Sequence, residues 1–179
     1  MSARSLKTCV LTTATTICLL AASVGYAQSP GPFFKFIGSW VGSGELQLSN
    51  NTREFIRCRG DYVGADMGTA SNLRLELKCA NAGYRFELMG DLNNSGGAVS
   101  GTWSEMTRGL NGNVRGTMVG DRISAIAEGQ TFTATLQLVS TGDSQQVVIA
   151  SPGSEISRVF IGLARVGARP PQQPASQIQ

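Results

Sequence analysis

The sequence predicts an all-β protein, an antiparallel up-and-down meander of about 8–10 strands closed into a small β-barrel. Three observations predict it. Hydrophobicity alternates with period two, no proline occurs from Phe33 to Ser151, and turn-forming residues recur at short intervals. Alternation marks half-buried strands, and a continuous ladder of N–H donors needs a proline-free stretch.

Along the chain, Pro32 to Ile37 fits one short helical turn or a segment crossing the barrel mouth. Trp40, Leu46 and Leu48 share a phase in the first strand. Pairing Ile56–Val63 with Leu73–Ala80 about a turn at Gly68-Thr69 sets Cys58 opposite Cys79, Gly60 opposite Leu77 and Tyr62 opposite Leu75. Leu73, Leu75, Leu77 and Cys79 then alternate with Arg74, Glu76 and Lys78. Tyr84, Phe86 and Leu88 alternate with Arg85 and Glu87, and Val99, Trp103 and Glu105 share the next phase. Phe132, Ala134, Leu136 and Leu138 alternate with threonines and Gln137, and Val159, Ile161, Leu163 and Arg165 are in phase in the last strand. Asn81-Ala82-Gly83, Asn111-Gly112, Gly120-Asp121, Gly142-Asp143 and Pro152-Gly153 supply the turn chemistry between runs. Longer turns at Ala65–Asn72 and Asn93–Gly97 are expected to shape one open end. A two-sheet Greek-key sandwich is the competing architecture, but nearly every link here is short enough to join adjacent strands.

The ends of the chain read differently. Arg4 and Lys7 precede an uncharged apolar run from Val10 to Val24, and Gly25-Tyr26-Ala27 is a small-residue cleavage site, so residues 1–27 read as a signal peptide removed after Ala27. The run is shorter than the roughly 20 residues of a spanning helix, so no membrane span is expected. Cys18 follows Ile17 rather than the small residue of a lipid-attachment site. Residues 28–32 form a short leader, 33–166 the barrel domain, and 167–179 a Pro/Gln-rich tail expected to be disordered. The expected location is periplasmic or secreted, and there the two remaining cysteines, Cys58 and Cys79, read as one disulfide. Adjacent strands would hold their α-carbons roughly 4.5–5.5 Å apart.

Composition excludes several functions. The formal charge of the 179 residues is +3, too small and scattered for a nucleic-acid binder. Losing Arg4 and Lys7 from 15 basic residues leaves 13 against 12 acids, a charge of +1. There is no histidine, which removes the usual general base and the commonest metal ligand. The carboxylates stand singly, Lys35 and Lys78 are the only lysines after the signal, and no G-x-S-x-G or P-loop occurs. No enzymatic activity, metal or cofactor is expected.

Gly38-Ser39-Trp40 opening the first strand, with Arg165 late in the last, resembles the calycin arrangement of lipocalins, fatty-acid-binding proteins and avidins. There a tryptophan at the start of the barrel packs beneath a late arginine. Gly101-Thr102-Trp103-Ser104-Glu105 is similar to an avidin-type strand, while further lipocalin motifs and a C-terminal helix are missing. The resemblance implies a small, mostly apolar ligand inside the barrel, with Trp40 and Arg165 as structural residues.

The residues support a cavity by their own pattern. The inward set mixes large side chains with Gly42, Gly44, Gly60, Gly101, Gly116, Ala125, Ala127 and Ala134, which either relieve curvature or leave space. The candidate ligand-binding residues are Tyr62, Tyr84, Phe86, Trp103, Glu105, Met118 and Phe132, with Glu105 as an acid at the cavity edge. Arg53, Arg57, Arg59 and Lys78 form a basic ridge on the opposite face, read as a solvated surface that blunts strand pairing. The alternative function is an envelope-associated or inhibitor-like protein whose loops bind a protein partner on a packed scaffold.

Overall fold

Alternation in the sequence translates directly into burial. In the computed structural model, which describes residues 31–67 and 70–168 with the side chains of 65–67 and 70 left aside, Leu73, Leu75, Leu77 and Cys79 are buried while Arg74 and Lys78 are exposed. The expected signal peptide, most of the expected leader, the expected turn at Gly68-Thr69 and the expected tail from 169 lie outside the described residues. Ten strands run β1 (Gly38–Leu48), β2 (Arg53–Met67), β3 (Ala70–Ala80), β4 (Arg85–Ser95), β5 (Ala98–Glu105), β6 (Leu110–Val119), β7 (Arg122–Gly129), β8 (Thr133–Ser140), β9 (Ser144–Ala150) and β10 (Ile156–Arg165). Each pairs antiparallel with the next, and β10 returns to pair with β1, so the sheet is a closed up-and-down barrel with no free edge.

The β2–β3 register sets Cys58 against Cys79, Gly60 against Leu77 and Tyr62 against Leu75, as the sequence predicts. The cysteines are buried and bonded, with α-carbons 4.1 Å apart, slightly inside the expected spacing. The longer turns expected at Ala65–Asn72 and Asn93–Gly97 are corrected. Ala65 to Met67 pairs with Ala70 to Asn72, and Asn93 and Asn94 continue the β4 ladder. Polar side chains stay in the strands because they are satisfied laterally: Asn72 donates to Asp91 at 2.7 Å. The β4–β5 turn shrinks to Gly96 and Gly97, both at positive φ (58° and 92°), the pair of left-handed residues that a two-residue hairpin demands.

The paired ends of β2, β3 and β4 lie at the closed end of the barrel, not the open one. Gly31 to Phe36 makes two turns rather than the helical turn offered for it, Phe34 N–H to Gly31 O and Phe36 N–H to Phe33 O, and crosses the barrel end. Phe33 and Phe36 are fully buried and meet edge to face at 6.1 Å. Side chains satisfy the plug's carbonyls. Trp40 Nε1 and Gln145 Nε2 donate to Phe36 O, Ser140 Oγ donates to Lys35 O, and Arg165 donates to Lys35 O and Ile37 O. The Arg165 guanidinium carbon lies 4.3 Å from the Trp40 ring centroid, the cation–π closure that the calycin resemblance implies.

The inward glycines fit the curvature reading. A Cβ at Gly42, Gly44, Gly101, Gly112 or Gly116 would collide with a carbonyl oxygen of the adjacent strand. These positions let strongly coiled strands approach one another.

Candidate functional site

The end opposite the plug is open. Here β4 to β10, the 106–109 turn and the 151–155 connection surround a cavity of about 300 Å³. Phe86, Trp103, Phe132 and Leu136 give it apolar walls, and the paired Ala127 and Ala134 on β7 and β8 make its room. The Trp103 indole is part of the wall. It packs on Phe132 at 5.5 Å, directs Nε1 toward Glu128 O at 3.4 Å, and rests beside Gly112 and Gly129, where a Cβ would lie 2.9 and 3.3 Å from its ring.

Polar groups concentrate at the mouth. Glu105 ends β5 only 8% exposed. Its carboxylate accepts N–H groups of Glu87 at 3.1 Å, Thr107 at 3.0 Å and Arg108 at 2.8 Å, and the Arg108 guanidinium lies 3.7 Å away. Burial pushes the Glu105 pKa up, but the backbone donors together outweigh it and hold the carboxyl below its ordinary value. The anion thereby ties the 106–109 turn to β4. Arg108, which also reaches Arg85 O at 3.4 Å, is exposed and lies on the rim of the cavity. Ser151 and Ser154, hydroxyl to hydroxyl at 2.7 Å, complete the polar rim.

Of the candidate ligand-binding residues, Phe86, Trp103, Glu105 and Phe132 line this cavity and Tyr62, Tyr84 and Met118 do not. Tyr62 sits at the plugged end against Trp40 at 6.4 Å, where burial pushes its phenol pKa up. Met118 lies beside the β6–β7 turn at the same end, its N–H bonded to Gly97 O. Tyr84 stands in the β3–β4 turn and flanks the core. The physical reason is that alternation fixes the face of a strand, whereas height along the barrel follows from register accumulated around ten strands. Arg108 escapes the sequence reading because it stands in a turn outside any alternating run. Its position three residues after Glu105 is the one signal that could have found it.

The basic ridge is where the sequence places it, on the outer face of β2 and β3. Arg53 pairs with Glu45, Arg59 with Asp61, and Lys78 with Glu76 and Glu87. It guards no edge, because β2 is hydrogen-bonded on both sides.

No family model and no curated protein matches the sequence. Among solved structures, the chain is similar to the S-type phycobiliprotein lyase of Guillardia theta, with a TM-score of 0.55, 12% identity, and 76% of this chain and 92% of that one covered. It is also similar to Rv2717c of M. tuberculosis, with a TM-score of 0.51, 16% identity, and 73% and 92% covered. At these identities the likeness is one of fold, a closed antiparallel β-barrel. No helix among the described residues is long and apolar enough to cross a membrane, and the Cys58–Cys79 bond is compatible with an oxidising compartment.

Proposed function

We propose that this protein is an exported, non-enzymatic carrier that holds one small, mostly apolar molecule in the mouth cavity. The observation that carries the reading is the asymmetry of the barrel: one end sealed by Phe33 and Phe36, the other opening on an apolar cavity of about 300 Å³. That volume stands at the lower end for small-molecule sites, and a few polar groups around apolar walls is their usual composition. Phe86, Trp103, Phe132 and Leu136 would hold the body of the ligand, and Arg108 would meet a polar end that accepts hydrogen bonds. The likeness to a phycobiliprotein lyase is consistent with ligand handling on this fold. Glu105 argues for carriage rather than catalysis, because its oxygens are already taken up by backbone donors and Arg108.

Native mass spectrometry of the protein from its own host's envelope, followed by organic extraction, tests this. A retained small molecule is expected. An empty protein that captures an envelope protein through its loops would replace the carrier with the interaction reading.

A further inference from the structure

We infer that the outer wall beside the cavity mouth docks on an anionic lipid surface through Phe55 and Phe160, set among Arg53, Arg57, Arg59 and Arg158. The barrel register builds this patch. On β1, Glu45 has Phe55 on one side and Phe160 on the other; one outward step toward the mouth, Gln47 lies between Arg53 and Arg158; one step away, Ser43 faces Arg57. Two aromatics from strands distant in sequence thus flank a single position, with arginines above and below.

Phe55 is 76% exposed and Phe160 48%. Isolated exposed apolar residues are ordinary on a soluble domain, but two aromatics on one rung, either side of a Glu45 that Arg53 neutralises and with arginines above and below, form a composite surface. Arg57 and Arg158 are exposed and form no ion pair with any described residue, whereas Arg53 and Arg59 share theirs with Glu45 and Asp61. The patch therefore keeps a positive excess. An anionic interface answers both components, headgroups for the guanidinium groups and the acyl boundary for the rings. The position supports the same occupant: β10 begins at Ile156, which lines the cavity, and Arg158 and Phe160 follow on the outer face of that strand. That cargo would pass between membrane and cavity rests on the carrier reading; the docking does not.

The test uses the protein without cargo, in co-sedimentation with vesicles of phosphatidylcholine alone or mixed with phosphatidylglycerol. Binding is expected to the mixed vesicles only and to fall as salt rises. Arg57→Gln with Arg158→Gln lowers the partition constant roughly thirtyfold, the effect of removing two surface charges. Arg115→Gln with Arg122→Gln, on β6 and β7 across the barrel, makes the same change in net charge and is expected to alter it about twofold or less. Phe55→Trp adds an exposed indole whose emission shifts to the blue on mixed vesicles. No binding by the native protein at low salt, equal losses in the two double variants, or an unshifted Phe55→Trp emission would each overturn the inference. Vesicle binding is read on the empty barrel and ligand retention without vesicles, so either reading can fail alone.

Discussion

Glu105 illustrates how one side chain shapes the mouth. Three backbone donors converge on it, so Glu105→Ala strands them at a partly buried turn and should cost about 2–3 kcal/mol in denaturant unfolding. Its folded pKa lies below the ordinary value of 4.5, so its contribution is fully present above that value and is lost as pH falls through the lower folded pKa. Stability measured from pH 6 down to pH 3 should therefore fall less steeply in Glu105→Gln than in the native protein. Arg165 does the corresponding work at the sealed end, with donors to Gly142, Ile37 and Lys35 carbonyls and its plane over Trp40. Arg165→Ala should lose about 3 kcal/mol, and Arg165→Lys should recover little of it, since an ammonium reproduces neither the fork nor the stacking. The Gly38-Ser39-Trp40 tripeptide, together with Arg165 in phase late in the last strand, was the basis for expecting this pair. The contacts of Glu105 were not legible, because the turn that supplies its donors follows no periodic pattern.

At the scale of elements, the β2–β3 hairpin was the most legible part of the chain. Two cysteines and two alternating runs determine one register, and the observed pairing matches it rung by rung. Replacing Cys58 and Cys79 with alanine should lower stability by about 3 kcal/mol, read from the denaturant midpoint with the slope compared as well, since the bridge also constrains the unfolded chain. The extension of β2, β3 and β4 beyond the expected turns was not legible. Asparagine and glycine read as turn formers, yet Asn72 is held in the ladder region by its bond to Asp91. The Phe33–Phe36 plug crosses a barrel end, one of the two outcomes anticipated for its segment, through two turns and without a helical turn. Phe36→Ala should cost about 3–5 kcal/mol, the range for an aromatic removed from a closed core.

The described residues form a barrel with one filled end and one open end. Alternation, the missing prolines and the short links were sufficient for the architecture, because a meander of this size must close to lose its edges. They could not say which inward residues share a height, and so Tyr62 and Met118 fell among the candidates beside Phe86, Trp103 and Phe132. The division between a filled end and a hollow one is set by register around the entire sheet. Where Ala127 and Ala134 come to face each other, the wall recedes, and the apolar space beside Trp103 follows.

The most direct test of the carrier account is a titration with a neutral apolar fluorophore such as N-phenyl-1-naphthylamine, following energy transfer from Trp103, in the native protein and in Ala134→Phe. Saturable uptake of one probe per chain is predicted, with transfer reduced in Trp103→Phe to what Trp40 supplies, and affinity at least about tenfold weaker once a phenyl ring fills the space at position 134. Uptake that is absent from the native protein, or unchanged in Ala134→Phe, would contradict it.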